Sequence, residues 1–425
     1  MSDVFIILLT LFIIVVAWRP YLGGLLVLSL LPSYILRDSV IGIPTTLLEM
    51  MIVLWFVITV IHSIRTKRIH QWMRLLKSRV MLVYGLFVLV GLLTALFAPD
   101  IRLALGAWKG WMLGPFVFVL TSIFHYRLKR DAYALTLASC GTLLLVSIWG
   151  MIEYIGGFGM QIPGYINAMF SSANYVALLI IPLWFVSLGL SLHRVEKKLS
   201  SKGELVWWVF FHALVGVTIL LTKSYAGILA ATAGVLYIAA SLPRDFIYRK
   251  LAHGMLMIVA VGAGLFILSD GKLDRFANNT SYNSFETRQQ IWTVTWDLIQ
   301  DKPLVGIGFG NFEPVYYDRA FELFSPPLEW EVPRAHNIFL HTWVEMGLVG
   351  LAMVIGLLWL LFSNLRNLLL QPEERYMVFG VVAALLSVVV HGLLDTPYFK
   401  NDLSIVFVYI IVLVLILTKK GESEV

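Results

Sequence analysis

Two side chains combine useful chemistry with a useful setting: Arg288 and His336, both inside a polar stretch, roughly residues 270–336, that interrupts an otherwise apolar chain. Arginine stays charged at any working pH and presents a planar fork that can grip two oxygens of a phosphate or carboxylate. Histidine titrates near neutrality and can take a proton from a hydroxyl. Each also has a plainer reading. Arg288 could pair with Glu286 or Asp297 on a surface helix, and His336 could be a cap or an interfacial hydrogen-bonding group. Other apparent motifs carry less. In Gly306-Ile-Gly308-Phe-Gly310 the third glycine comes too early for a dinucleotide loop and no βαβ unit surrounds it, so a tight turn is expected. His336 and His341 lack the H-E-x-x-H spacing of a zinc hydrolase. Asn278-Asn279-Thr280 fits a glycosylation acceptor only formally, and Cys140 alone can form neither an intrachain disulfide nor a cysteine metal cluster.

Composition dictates the scaffold that positions these groups. With 59% hydrophobic and 14% charged residues the chain departs far from soluble proteins, in which about a quarter of residues are charged. Its mean hydropathy of +0.83 agrees. Apolar runs near the roughly 20 residues needed to cross a bilayer recur throughout. They lie at about 4–17, 21–36, 44–62, 80–98, 108–124, 132–153, 174–192, 205–222, 226–241, 252–269, 338–362, 377–393 and 403–418. The expected fold is therefore all-α: one polytopic transmembrane bundle over residues 1–425, with 12 or 13 helices depending on whether the first two runs are separate crossings. The run from Val4 to Ala17 lacks a basic flank and a small-residue cleavage pattern, so it reads as a retained helix rather than a signal peptide. Abundant Met and Trp read as packing and interfacial anchors.

The formal charge of +6 comes from short basic clusters between the apolar runs, which points to anionic lipid rather than nucleic acid. The clusters Arg65–Arg79, Arg127–Arg130, Arg194–Lys202, Arg244–Lys250, Arg366–Arg375 and Lys419-Lys420 fall at every other crossing, as the positive-inside rule requires of cytoplasmic loops. Segments 99–107, 154–173, 223–225, 270–337 and 394–402 then face outward. Within the large outer loop, Phe285–Gln300 reads as a helix whose Ile291, Val294, Thr295 and Leu298 form an apolar stripe, among several turn signals.

Four pieces occur in order around that loop: Arg288-x-x-x-Trp292; Asp301-x-Pro303-Leu-x-Gly306-x-Gly308-x-Gly310-x-Phe312; His336-Asn337-x-x-Leu340; and Glu345-x-Gly347-x-x-Gly350. Together they resemble the O-antigen ligase and polymerase superfamily. The close match covers about 65 residues, and the multi-helix layout extends it over most of the chain. The resemblance implies a membrane glycosyltransferase of the bacterial inner membrane, working at its outer face without metal, nucleotide sugar or other cofactor. It would move a glycan from an undecaprenyl diphosphate carrier to an acceptor hydroxyl. Ligation of polysaccharide to lipid A core is the first expectation, with polymerisation onto a growing glycan second and a protein-directed oligosaccharyltransferase third. Direct displacement would invert the anomeric carbon.

The same resemblance distributes roles. Arg288 stabilises the departing diphosphate and His336 orients or deprotonates the acceptor hydroxyl, with Arg334 and Asn337 beside them on the substrate. Family members carry an arginine where this chain has Tyr225 in Leu221-Thr-Lys223-Ser-Tyr225-Ala-Gly227, so Lys223 on the same turn is the replacement cation, without arginine's fork. Asn174, in a turn similar to the family's F-x-x-P-N with Ala173 for proline, is a substrate contact or a helix cap. His391 and Asp395, four apart, match a family H-x-x-x-D pair and would share a helix face. A transporter or lipid flippase is the rival of another class. It is disfavoured because ionisable groups rarely fall mid-span here, Glu49 and His253 being the candidates.

Overall fold

The structure is a computed structural model that describes residues 3–40, 42–69, 71–72, 77–159, 164–243, 254, 284–371 and 373–419. The expected crossing at 252–269, the basic cluster Arg244–Lys250, His253, Asn278–Thr280 and the start of the outer loop lie outside the described residues, save Gly254.

Among the described residues, eight helices are long and apolar enough to cross a membrane. They are α3 (Leu47–Arg65), α4 (Arg79–Leu96), the composite of α5 (Ile101–Trp108) and α6 (Gly114–His125), α7 (Lys129–Gly156), α8 (Ala173–Glu196), α9 (Lys202–Leu221), α13 (Ile338–Leu369) and α14 (Arg375–Gly392). Three shorter apolar helices accompany them: α1 (Asp3–Trp18), α10 (Tyr225–Ser241) and α15 (Asn401–Leu417). The all-α polytopic bundle is thus the fold. Outside the spans, α11 (Ser284–Asp301) is the helix expected from the stripe Ile291, Val294, Thr295 and Leu298, all buried, and α12 (Phe312–Leu323) follows it.

The run 21–36 is not a crossing. It forms the eight-residue α2 (Leu22–Ser29) and a 3-10 turn (Leu31–Ile35) entered through Pro32, followed by an antiparallel hairpin, β1 (Arg37–Val40) with β2 (Ile43–Thr46). Its apolar residues serve a buried contact instead of a lipid face: a Cβ on Gly23 would lie 2.2 Å from the Trp55 ring, so only glycine lets α2 approach α3 this closely. Thr46 then starts α3 with a capping box, its hydroxyl accepting from the Glu49 N–H while Glu49 accepts from the Thr46 N–H.

Contacts between loops sort the bundle into two ends. At one, Arg127 donates to the Gln71 side chain and Lys129 pairs with Glu373 at 3.1 Å, so the basic loops meet one another. At the other, Asp100 bonds Asn311 and Arg334 bonds Tyr175, joining the segments that charge placed on the opposite face. Between the ends, α8 and α14 are the most enclosed long helices, and Gly189 faces Gly380 so closely that a Cβ on either would meet the other's Cα at 2.7 Å. That contact anchors α14, whose far end carries the turn on which the candidate site is built.

Candidate functional site

The floor of the site is the stretch just past α14. Leu394 and Asp395 both donate their N–H groups to the His391 carbonyl, at 3.0 and 2.9 Å, which folds the chain back and presents the carbonyls of Leu393 and Leu394 and the Asp395 side chain. Three expected residues converge there. Arg288 on α11 donates Nε–H to the Leu394 oxygen at 3.1 Å. Asn337 donates its side-chain N–H to the Leu393 oxygen at 3.0 Å while its Oδ1 caps α13 through the N–H groups of Phe339 and Leu340. His336 places Nδ1 3.3 Å from Asp395 Oδ1.

An ionised carboxylate only accepts, so Nδ1 is the donor, and in the neutral imidazole the lone pair then lies on Nε2. Burial pushes the Asp395 carboxyl up, but the His336 hydrogen bond, the nearby His336 and His391 rings and the Thr396 N–H outweigh it and hold the group below the ordinary carboxylate range. A buried carboxylate thus orients the ring of a partly exposed histidine.

His336 reaches this position in a left-handed conformation, φ +47°, which costs a non-glycine residue on the order of 1–3 kcal/mol. Trp292, one turn beyond Arg288 on α11, holds it there by donating Nε1–H to the Ala335 oxygen at 3.0 Å, as the Asn337 cap does from the other side. Asp297 is committed elsewhere, to Arg319 at 2.8 Å, so it is not Arg288's partner.

The glycine-rich turn supports the array from behind. Gly347 breaks α13 with φ +66°, and a Cβ there would fall 2.0 Å from the Leu304 carbonyl oxygen. Into the break fit the N–H groups of Ile307 and Gly308, bonded to the carbonyls of Val344 and Glu345 at 2.8 and 3.2 Å, while Leu348 N–H returns to the Pro303 oxygen at 2.9 Å. Gly306, Gly308 and Gly310 all have positive φ, and a Cβ on them would strike Glu345, Ala98 and Ala107 respectively. Gly306 to Gly310 is thus a tight turn docked on a broken helix. The buried Glu345 side chain completes the join by accepting from the Phe312 N–H at 3.1 Å and lies 3.7 Å from buried His341.

The remaining expected residues are distributed around this centre. Arg334, two residues before His336, turns to the other side, donating to the Phe399 carbonyl and to the Tyr175 hydroxyl, both at 2.7 Å. Asn174 neighbours that tyrosine, but the cap of α8 is Ser172, whose hydroxyl accepts from the Asn174 N–H. Asn174's own side chain makes no hydrogen bond among the described residues. Lys223 occupies the turn between α9 and α10 with φ +50° and its ammonium 4.8 Å from the centre of the Tyr165 ring; Tyr225 is the first residue of α10. α14 ends at Gly392, so Asp395 lies in the turn beyond it, beside His391 through the backbone bond at 2.9 Å; its side chain bonds His336, and the buried His391 Nε2 has no hydrogen-bond partner among the described residues. Sequence reasoning did not single out Lys400, which lies buried among Tyr34, Phe170 and Tyr175, the tyrosine that Arg334 also bonds. An isolated lysine just before an apolar run gives no hint of such a cage.

A family model described as O-antigen ligase matches residues 210–355, the stretch from α9 through the break in α13. A curated O-antigen ligase from Salmonella typhimurium is 22% identical over 379 residues, covering 85% of this chain and 88% of that protein. Over these lengths the chain is similar to the O-antigen ligase family. The matched stretch contains Lys223, Tyr225, Arg288, Arg334, His336 and Asn337, whereas Asn174, His391 and Asp395 fall outside it. The chain is a multi-pass membrane protein.

Proposed function

We propose that this protein joins a glycan, carried on undecaprenyl diphosphate, to a hydroxyl of lipid A core at the outer face of the bacterial inner membrane. The observation that carries the reading is the His336–Asp395 pair, with Nδ1 bonded to the carboxylate and Nε2 left to accept a proton. The acceptor O–H gives its proton to Nε2 as its oxygen bonds the anomeric carbon. The bond from that carbon to the diphosphate breaks, and the electron pair leaves with the lipid diphosphate. Attack opposite the leaving group inverts the carbon. Arg288 spends Nε on Leu394 and Nη1 on the Ser284 carbonyl, so its Nη2 and its charge serve the departing phosphate oxygens, and Lys223 adds a point cation. No step draws on a metal. The positive-inside rule supports the orientation, because the basic loops meet at the end of the bundle opposite His336.

The deciding experiment is in vitro transfer with purified protein, lipid-linked glycan and lipid A core. The reading requires covalent product from wild type and a loss on the order of 10² or more for His336→Ala. Labelled lipid crossing the vesicle bilayer with no product would replace it with a flippase.

A further inference from the structure

We propose that Lys400 and Arg334 form a second oxyanion subsite, which holds a phosphate ester or carboxylate of the acceptor glycan while the donor diphosphate lies on the Arg288 side of His336. The identity of the ligand rests on the glycan-transfer reading; the existence of the subsite does not.

Lys400 is 8% exposed, and its ammonium has no hydrogen-bond partner among the described residues. It stands 3.7 Å from the centre of the Tyr175 ring, 4.6 Å from Tyr34 and 5.4 Å from Phe170. Aromatic faces attract a cation but cannot accept its three N–H bonds, so a buried ammonium held only this way is under-satisfied. Among the described residues the charges acting on it are Asp402, Arg334 and Arg37, two cations against one carboxylate, and the buried Asp402 Oδ1 is itself without a hydrogen bond there. Burial chiefly, with Arg334 and Arg37 assisting against Asp402, brings the amine down to about 8. A group so placed is stabilised in its charged form by an arriving anion.

Arg334 supplies the route. It is partly exposed, lies over the Trp111 ring at 5.4 Å, and uses Nε and Nη1 on Phe399 and Tyr175, leaving Nη2 without a hydrogen bond among the described residues. Both cations lie against the Tyr175 ring, Arg334 at 5.8 Å and Lys400 at 3.7 Å from its centre, so an oxyanion reaching Nη2 arrives beside the lysine's cage, and four rotatable carbons let the ammonium swing toward it. Since Arg334 and His336 diverge from one short turn, the two cationic sides flank the proton acceptor, as two substrates meeting at His336 would need.

Inorganic phosphate is the probe. In thermal unfolding of the detergent-solubilised full chain, millimolar phosphate should raise the Tm of wild type and of Arg288→Ala by about a few degrees and leave the double variant Arg288→Ala/Lys400→Met unmoved. Lys400→Met should unfold near wild type without phosphate, because methionine fills the cage with no unsatisfied charge. If it proves unstable, Arg334→Gln in the same Arg288→Ala background should show the same lost protection. Equal protection of Arg288→Ala with and without the second substitution would overturn the subsite whatever the activity; loss of protection in Arg288→Ala alone would do the same. In transfer assays, Lys400→Met should raise KM for an anionic acceptor roughly tenfold, leave KM for the donor unchanged, and lose that defect on an acceptor stripped of its anionic groups. A raised donor KM instead would overturn the assignment to the acceptor.

Discussion

The Trp292 indole donates to the carbonyl of Ala335, one residue before His336, just as Arg288, one turn back on α11, donates to the carbonyl of Leu394, one residue before Asp395. One helix therefore latches the backbone behind both members of the His336–Asp395 pair. The R-x-x-x-W spacing is a helical i, i+4 spacing because the two latched turns lie one helical turn apart.

Trp292→Phe tests the latch. The ring is kept and the N–H lost, leaving the Ala335 carbonyl without its donor, a change worth about 1–3 kcal/mol. Turnover should fall about tenfold or more with donor KM little changed. Wild-type turnover would show that His336 does not need the latch.

Asp395→Asn should reduce turnover on the order of 10² or more, because an amide can bond either tautomer of His336 and no longer keeps Nε2 free. Asp395 has a depressed folded-state pKa, so the stability it confers is fully present above the ordinary carboxylate value of about 3.9 and is lost as pH falls below it. Wild type should thus lose stability faster than Asp395→Asn on acidification below about pH 4, as paired melting curves would reveal.

Arg288→Lys keeps the charge but cannot both hold Leu394 and fork across two phosphate oxygens. Transfer should fall at least about tenfold with the fold intact. Undiminished transfer by both Arg288→Lys and Arg288→Ala would remove Arg288 from the chemistry.

Gly347→Ala should destabilise the protein by on the order of 2 kcal/mol or more, through a left-handed backbone and a Cβ 2.0 Å from the Leu304 oxygen. Gly356→Ala on the same helix has nothing within 4 Å of the added carbon and should be neutral or slightly stabilising. Similar melting temperatures for the two would mean that the break is not rigidly docked.

Orientation is checked with impermeant thiol reagents in a Cys140→Ser background. Glu331→Cys should label from outside in intact cells, and Lys198→Cys only after permeabilisation. The reverse pattern would place the site in the cytoplasm.

Most spans were legible because a bilayer imposes length and apolarity on each crossing, a constraint local in sequence. The 21–36 run misled for the same reason: burial under Trp55 and exposure to lipid select the same apolar residues, and only Pro32 and the glycine pair hinted otherwise. The convergence of Arg288, His336 and Asn337 followed from their order around one loop. Asp395 as the partner of His336, Ser172 as the cap of α8, and Lys400 in its cage did not, since each depends on helices distant in sequence being brought side by side.

The break at Gly347 also sets a depth. The helix beyond it, about 22 residues to Leu369, is roughly 33 Å long, close to the hydrocarbon thickness of a bilayer. The short helical stretch 338–346 before the break, with His336 just ahead of it, then falls outside that length. On the proposed reading this would put His336 at the headgroup plane, where a prenyl chain left in the hydrocarbon presents its diphosphate and first sugar, so that neither hydrophilic group need enter the membrane and the lipid need not leave it.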